Sequence, residues 1–368
     1  MSAASKTIGV IGGGQLGRML ALAGYPLGLR CVLLDADADC PAGQVADVIT
    51  APLDDAAALE RLAEASDVVT IEIENVAVER LESLQRMVPV HPSPAAVAAA
   101  QDRLLEKQLF RSLGIPTAPF VAVESASDLD RAARELGWPV VLKLRRLGYD
   151  GRGQRIVRDA EALAAAWREL GERPAIAEGW VEFERELSLV AVRGADGALA
   201  FYPLAENVHR EGILRTTVAP YADDALQRSA ERCLAALLER FDYRGVLTVE
   251  FFHTADGLVA NEMAPRVHNS GHWTIEGAET SQFENHLRAM AGWPLGSTAP
   301  RGHAAMVNLL GRLPAPERLL AVPGAHLHAY GKAPRANRKV GHCTVVDADR
   351  GRLLDRFQTL QALIAAEE

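Results

Sequence analysis

Between Thr7 and Pro92 the chain alternates short apolar runs, TIGVI, RCVLLD, DVVTIE and MVPVH, with amphipathic segments of helix length at 15–28, 55–65 and 76–86. Each run is too short for a helix and too uniformly apolar for a strand with one wet face. The alternation therefore calls for buried parallel strands joined by crossover helices. The first turn of that unit is VIGGGQLGRM, in which Gly12-x-Gly14-x-x-Gly17 opens the helical segment, and Asp35 ends the next apolar run 18 residues past Gly17. Taken alone, this is the fingerprint of a dinucleotide-binding turn, and it suggests an NAD-dependent dehydrogenase.

Beyond residue 92 the pattern changes. HPSP at 91–94 punctuates the chain and a long helical pattern runs on to LGIPTAP, so the first domain is read as residues 1–112. Residues 113–182 form a second unit, with PVVLKL, RIV and AIAEGWV around a glycine-rich loop and a helical stretch at 159–170. A third, 183–368, opens with two alternating strands joined at Asp196-Gly197 and continues through GVLTVEFFH and LVANEMAP, a second hairpin about Asp256-Gly257. From about 303 a β-rich segment follows, closed by a terminal helix. The fold class is α/β at the start, with a parallel sheet, and α+β after it.

A net charge of −9 and a pI near 5.7 exclude a surface built for nucleic acid or anionic lipid and point to small-molecule partners. No apolar run approaches the roughly 20 residues that span a bilayer, and MSAASKTIGVIGGG has no signal-peptide architecture, so a cytoplasmic location is expected. Cys31, Cys40, Cys233 and Cys343 are scattered and read as reduced thiols.

The chemistry concentrates mid-chain. VLKLRRLGYDGRGQRIV puts Lys143 at a strand end, followed by a loop with Gly148, Gly151 and Gly153 whose backbone can close over phosphate oxygens. Glu250 in TVEFF and Glu262 in ANEMAPR are separated by a stretch that fits a tight hairpin, which brings both carboxylates to one place on neighbouring strands. Two carboxylates so placed repel one another unless a cation joins them, and Mg²⁺ with nucleotide phosphates would bind both.

The combination of Lys143, the glycine loop, AEGWVEFERELS and VEFF…ANEMAPR resembles the ATP-grasp ligases. GGGQLGRML, GYDGRGQ, HREGILRTTVAP, NEMAPRVHNSGHWT and RKVGH are, more narrowly, similar to the 5-(carboxyamino)imidazole ribonucleotide synthases of purine biosynthesis, and the likeness runs from about residue 7 to 360. It implies an ATP-grasp fold: a Rossmann-like N-terminal (pre-ATP-grasp) domain, a small lid, and a large domain with a β-rich substrate-binding extension. The activity it implies is ATP-dependent carboxylation of 5-aminoimidazole ribonucleotide with bicarbonate, through carboxyphosphate, with ATP and Mg²⁺ and in a homodimer. Matched positions imply ATP contacts at Arg103, Lys143, Gly148, Tyr149, Asp150, Gly151, Arg152, Gly153, Gln154, Glu186, His209, Asn261 and Glu262. Glu178, Gly179, Trp180 and Val181 would lie at the adenine, and Glu186 at the ribose. Glu250 and Glu262 match the metal ligands. Arg266 would face bicarbonate and carboxyphosphate, and His268, with His272 nearby, could hold bicarbonate or shuttle a proton. His91, His253, His326 and His328 are read as structural.

Under the same resemblance the glycine turn binds the ribonucleotide rather than NAD. The N–H groups at Gly14 would lie beside it, Gln15 and Leu16 would line the imidazole side, and Glu74 would approach the ribose or amine. Tyr149, Asp150 and Arg152 would close over the substrate, and Lys332, Arg338 and Lys339 would hold its phosphate. The chain departs from the family pattern at Leu147, where glycine is commoner, and at Ala336-Asn337, which replaces Pro-Gly. Rival readings are a dehydrogenase, a formate-using glycinamide ribonucleotide ligase, a biotin-carboxylase type, and a regulator that has lost catalysis.

Overall fold

The structure is a computed structural model that describes residues 6–148 and 153–367. Its first sheet is parallel throughout and is built from β1 (Thr7–Ile11), β2 (Arg30–Asp35), β3 (Asp47–Thr50) and β4 (Val68–Ile71) in the order β3-β2-β1-β4. Ile8, Val10, Ile11, Leu33 and Leu34 are fully buried because both faces are covered. One face packs on α2 (Ala56–Glu64), α3 (Val78–Leu84) and α4 (Pro94–Gln101), which follow α1 (Gln15–Gly24) in the chain. The other face joins a core that runs through α1 to Trp273, Phe283 and Leu287 of the large domain.

Two elements differ from the sequence reading. MVPVH supplies one bridge, Val69 to Val90, instead of a strand, because Pro89 and Pro92 have no amide to extend a ladder. That leaves β4 as one edge; the opposite edge, beside β2, is the short, half-exposed DVIT of β3. The long helical pattern after HPSP is broken at Asp102, and a separate α5 (Arg103–Ser112) starts there with the Asp102 carboxylate accepting from the Leu104 amide at 3.0 Å.

The second sheet, antiparallel, is β5 (Phe120–Val123), β6 (Val140–Leu144), β7 (Gln154–Val157) and β8 (Ala175–Gly179) in the order β5-β8-β6-β7. Its core is closed by α6 (Ala126–Leu136) and α7 (Ala160–Glu169). The third sheet has nine strands: β9 (Arg185–Arg193), β10 (Leu199–Phe201), β11 (Ala205–Arg210), β12 (Ile213–Ala219), β13 (Gly245–Thr254), β14 (Gly257–Ala264), β15 (His303–Gly311), β16 (Ala325–Ala329) and β17 (Arg335–Asp347). Their order is β14-β13-β9-β11-β12-β15-β17-β16, with β10 beside β9. The C-terminal strands thus continue the same sheet, Thr216 opposite Val307, instead of forming a layer of their own.

Period-two patterning decides what each face of this sheet does. Leu187, Leu189 and Ala191 of β9 with Leu247, Val249 and Phe251 of β13 are buried with Leu234, Leu237 and Leu238 of α8 (Asp224–Arg240). The alternate positions, Glu186 and Ser188 on β9 and Thr248 and Glu250 on β13, fall on the opposite face, where Glu250 pairs with Ser188 and Asn207 with Glu186. That polar stretch is the floor of the site.

Candidate functional site

The β13–β14 hairpin turns at Asp256-Gly257, with Gly257 at φ 116°, a left-handed conformation that favours glycine. Its register sets Glu250 opposite Glu262, then slips: Phe251 pairs with Ala260, and Asn261 is the extra residue of a β-bulge. The bulge re-aims this part of the strand, and the Asn261 side-chain oxygen is buried with no partner among the described residues.

Two environments split the carboxylates. Burial opposes ionisation of Glu262, but the Arg103 guanidinium at 2.8 Å outweighs it and holds the pKa near 2. For Glu250, burial wins over His209, with the Glu262 and Glu186 charges adding to it, and the pKa rises to about 7. Glu250 Oε1 lies 3.8 Å from Nε2 of both His209 and His268. His209 is held by Glu186, which accepts from its Nδ1 at 2.8 Å and its amide at 3.2 Å; burial alone would lower its pKa, but the carboxylates lift it to about 9. Two hard carboxylates across one register pair, with an orphaned amide oxygen beside them, fit a divalent cation that completes its shell with phosphate oxygens.

Those acids open onto a cavity of about 550 Å³ whose far wall comes from the first domain and the last strands. Arg266 Nε donates to Glu74 at 2.5 Å and its Nη1 donates to the Val267 carbonyl at 3.1 Å. Lys332 donates to the Gln15 side chain. Burial lowers the Lys332 pKa to about 8, against the pull of Glu72. Gln15, Leu16, Glu74, Arg103 and Gly148 line the cavity, as do Glu250, Glu262, Arg266, His268, Lys332 and Lys339. Arg338 does not line it: it is half-buried and donates to the Ala333 carbonyl at 3.2 Å.

His268 begins a short 3-10 turn and accepts the Ser270 amide on Nδ1 at 3.3 Å. A nitrogen that accepts from a backbone N–H carries no proton, so the neutral ring has its hydrogen on Nε2, the atom facing Glu250. Burial, reinforced by Arg266, pushes its pKa down to about 3. His272 lies elsewhere: it is fully buried, away from the cavity lining, with its ring 4.7 Å from that of His342 and tilted 41° to it. His328 Nε2 donates to the Glu276 carboxylate, 2.7 Å away.

The glycine turn departs from the sequence reading. The Gly14 and Gly17 amides donate to the Glu72 carboxylate at 2.8 and 2.9 Å, and the Gly13 amide donates to Asp35 at 2.7 Å. A β-carbon at Gly12 or Gly14 would meet Glu72 at 2.5 or 2.6 Å. The glycines let a half-buried carboxylate of the protein, Glu72, occupy the place where a dinucleotide's pyrophosphate would sit. Asp35 is spent on the same turn, so neither feature supports NAD, and the N–H groups at Gly14 are not open to the ribonucleotide either.

On the lid side, Lys143 Nζ donates to Glu178 at 3.0 Å and Lys107 lies 3.5 Å from the same oxygen. Burial would raise the Glu178 pKa; the two ammonium groups hold it near 2. Its other oxygen is buried without a partner among the described residues, and Gly179, Trp180 and Val181 follow it to the surface. Leu147 adopts φ 63°, the left-handed conformation that explains the commoner glycine, and Asn337 does the same at φ 59°. Gly153 and Gln154 return the chain into β7. Tyr149, Asp150, Gly151 and Arg152 lie outside the described residues.

Sequence reasoning missed Glu72, Asp102, Glu106 and Lys107. Asp102 accepts from Arg145 Nε and Nη2 at 2.9 and 2.7 Å, and Arg103 Nη2 reaches the Gly148 carbonyl at 3.3 Å while its Nη1 donates to Glu262, so the start of α5 ties the segment after β6 to β14.

Three family models match. Residues 5–101 match a ribonucleotide synthetase preATP-grasp domain, 108–283 an ATP-grasp domain, and 304–356 a phosphoribosylaminoimidazole carboxylase C-terminal domain. An N5-carboxyaminoimidazole ribonucleotide synthase of Pseudomonas aeruginosa is 52% identical, over 98% of this chain and 99% of that protein. One from Brucella melitensis is 49% identical over 92% and 96%. Among solved structures, the N5-carboxyaminoimidazole ribonucleotide synthetase of Thermus thermophilus superposes with a TM-score of 0.93 at 52% identity, covering 97% of this chain and 98% of that one. The synthase of Aspergillus clavatus, solved with ADP and 5-aminoimidazole ribonucleotide, gives 0.92 at 33% identity over 98% and 99%.

Proposed function

Because the chain belongs to the N5-carboxyaminoimidazole ribonucleotide synthase family of ATP-grasp ligases, we propose a division of labour for its residues around one cavity. The protein is an ATP-dependent ligase that carboxylates 5-aminoimidazole ribonucleotide in purine biosynthesis. The observation that carries the residue-level reading is the Glu250–Glu262 pair opening onto the same space as Arg266, His268, Lys332 and Lys339. Acids suited to MgATP and cations suited to a phosphorylated substrate thus share one cavity, as direct transfer between them requires.

ATP lies between the lid and the nine-stranded sheet. The unpartnered Glu178 oxygen accepts from the adenine amine, Glu186 and His209 face the ribose, and Arg103 and Lys143 face the phosphates, with Gly148, Gly153 and Gln154 alongside. Glu250 and Glu262, with Asn261, would hold Mg²⁺, which would supply positive charge to offset the nucleotide phosphates. Bicarbonate sits against Arg266. An oxygen of bicarbonate attacks the γ-phosphorus, the bond to the β–γ bridging oxygen breaks, and ADP departs from carboxyphosphate. Arg266, fixed by Glu74, offsets charge on the transferring group without having to reorganise. His268, whose hydrogen is on Nε2, donates to a bicarbonate oxygen instead of serving as a base. The 5-amino nitrogen then attacks the carboxyl carbon, the C–O bond to phosphate breaks, and the amine proton leaves with the phosphate. Gln15, Glu74, Lys332 and Lys339 hold the ribonucleotide in place.

Bicarbonate labelled with ¹⁸O tests this route. Carboxyphosphate requires one labelled oxygen to appear in the released phosphate; phosphate without label would exclude it. We take the enzyme to act as a cytoplasmic homodimer; no helix among the described residues is long and apolar enough to cross a membrane.

A further inference from the structure

The metal strand β14 is an edge of its sheet, and its bulge leaves Asn261 without a ladder partner. The sheet therefore leaves the Asn261 peptide unpaired, between Ala260 opposite Phe251 and Glu262 opposite Glu250. Helix α5 covers that edge with residues spaced i, i+3 and i+4, which share one helix face. Arg103 holds the Glu262 carboxylate at 2.8 Å, Glu106 accepts the Met263 amide at 2.6 Å, and Lys107 Nζ donates to the Ala260 carbonyl at 3.2 Å. Glu106 and Lys107 are 2% and 1% exposed.

Burying a carboxylate and an ammonium is expensive, and apolar side chains would seal an edge strand at lower cost. What these two do that apolar groups could not is grip the backbone on both sides of the bulge. Lys107 also reaches Glu178, 3.5 Å away, so the same helix touches the strand end assigned to the adenine.

We propose that Glu106 and Lys107 are positioning residues that lock the Ala260–Met263 bulge, so that the oxygens of Asn261 and Glu262 are presented together with Glu250 to a divalent cation. The proposal rests on the metal reading of Glu250 and Glu262. Neither residue touches substrate; each acts through the strand.

The test is Mn²⁺ uptake by the full-length protein with ADP, followed by the electron paramagnetic resonance signal of free Mn²⁺. Outer partners of metal ligands typically contribute about 10- to 100-fold to affinity. Glu106→Ala is expected to weaken Mn²⁺ binding about tenfold or more, while ADP binding in EDTA stays at the wild-type level. Glu106→Gln keeps an acceptor oxygen for the Met263 amide and is expected to restore binding to within about threefold. Lys107→Met, which removes the second grip, is expected to weaken it as well and stands in if Glu106→Ala does not fold. Wild-type Mn²⁺ affinity in Glu106→Ala or, should that not fold, in Lys107→Met would overturn the positioning role, as would a Glu106→Gln as weak as Glu106→Ala. A wild-type protein that takes up no Mn²⁺ would instead overturn the metal reading itself.

Discussion

Gly14→Ala is the sharpest test of why the glycine turn looks as it does. Gly14 has φ −71° and ψ −162°, an extended conformation open to alanine, so the backbone sets no penalty. The added methyl would lie 2.6 Å from Oε1 and 3.0 Å from Oε2 of Glu72, closer than carbon and oxygen pack. The carboxylate must withdraw, and its bonds to the Gly14 and Gly17 amides, now 2.8 and 2.9 Å, lengthen or break. A hydrogen bond to a charged group contributes about 1.5–3 kcal/mol. Losing one corresponds to a roughly 10- to 100-fold rise in exchange of those amides, at about 1.4 kcal/mol per decade. Hydrogen exchange followed by mass spectrometry on peptides covering 10–20 reads this without requiring the whole multidomain chain to unfold in one step. Glu72→Ala alone should release the same amides. In that background Gly14→Ala has no carboxylate to displace, and the two changes should couple by about 1–3 kcal/mol. Additive effects, or unchanged exchange in Gly14→Ala, would show that Glu72 does not explain the glycine.

Glu262→Gln removes the charge that Arg103 and the cation share and should lower ADP formation at least about 100-fold with near-native circular dichroism; wild-type turnover would remove Glu262 from the mechanism. Lys332→Ala should raise the KM for the ribonucleotide about tenfold or more while the KM for ATP moves little, and equal effects on both would show that the basic turn is no phosphate pocket. Glu250 keeps its proton up to about pH 7 in the metal-free protein. A divalent cation must displace that proton, so apparent affinity should rise about tenfold per unit up to pH 7 and level off above it. An affinity flat from pH 5.5 to 8.5 would contradict the raised pKa.

The pattern at β13 and β14 was readable because alternation and an Asp-Gly turn are local signals, and together they set Glu250 against Glu262. The one-residue bulge that frees Asn261 has no local signal. Glu72 and Glu106 were invisible for a related reason: their partners, Gly14 and Met263, lie 58 and 157 positions away, and a long-range approach of a carboxylate to an amide leaves no spacing to recognise. The fingerprint Gly12-x-Gly14-x-x-Gly17 shows the converse hazard. Its local meaning, close approach of an anion to backbone amides, held; the anion is a side chain of the protein. Pro89 and Pro92 could have demoted MVPVH from strand to bridge, since proline donates nothing to a ladder.

The central claim is that ATP cleavage at the Glu250–Glu262 pair is coupled to the ribonucleotide on the far wall. ADP release measured in a coupled assay with MgATP and bicarbonate, with and without 5-aminoimidazole ribonucleotide, tests it most directly, with glycinamide ribonucleotide plus formate as the control. Strong stimulation by the imidazole and none by the control is the expected result. ADP release that ignores the imidazole, in protein that still binds ATP, would contradict the account.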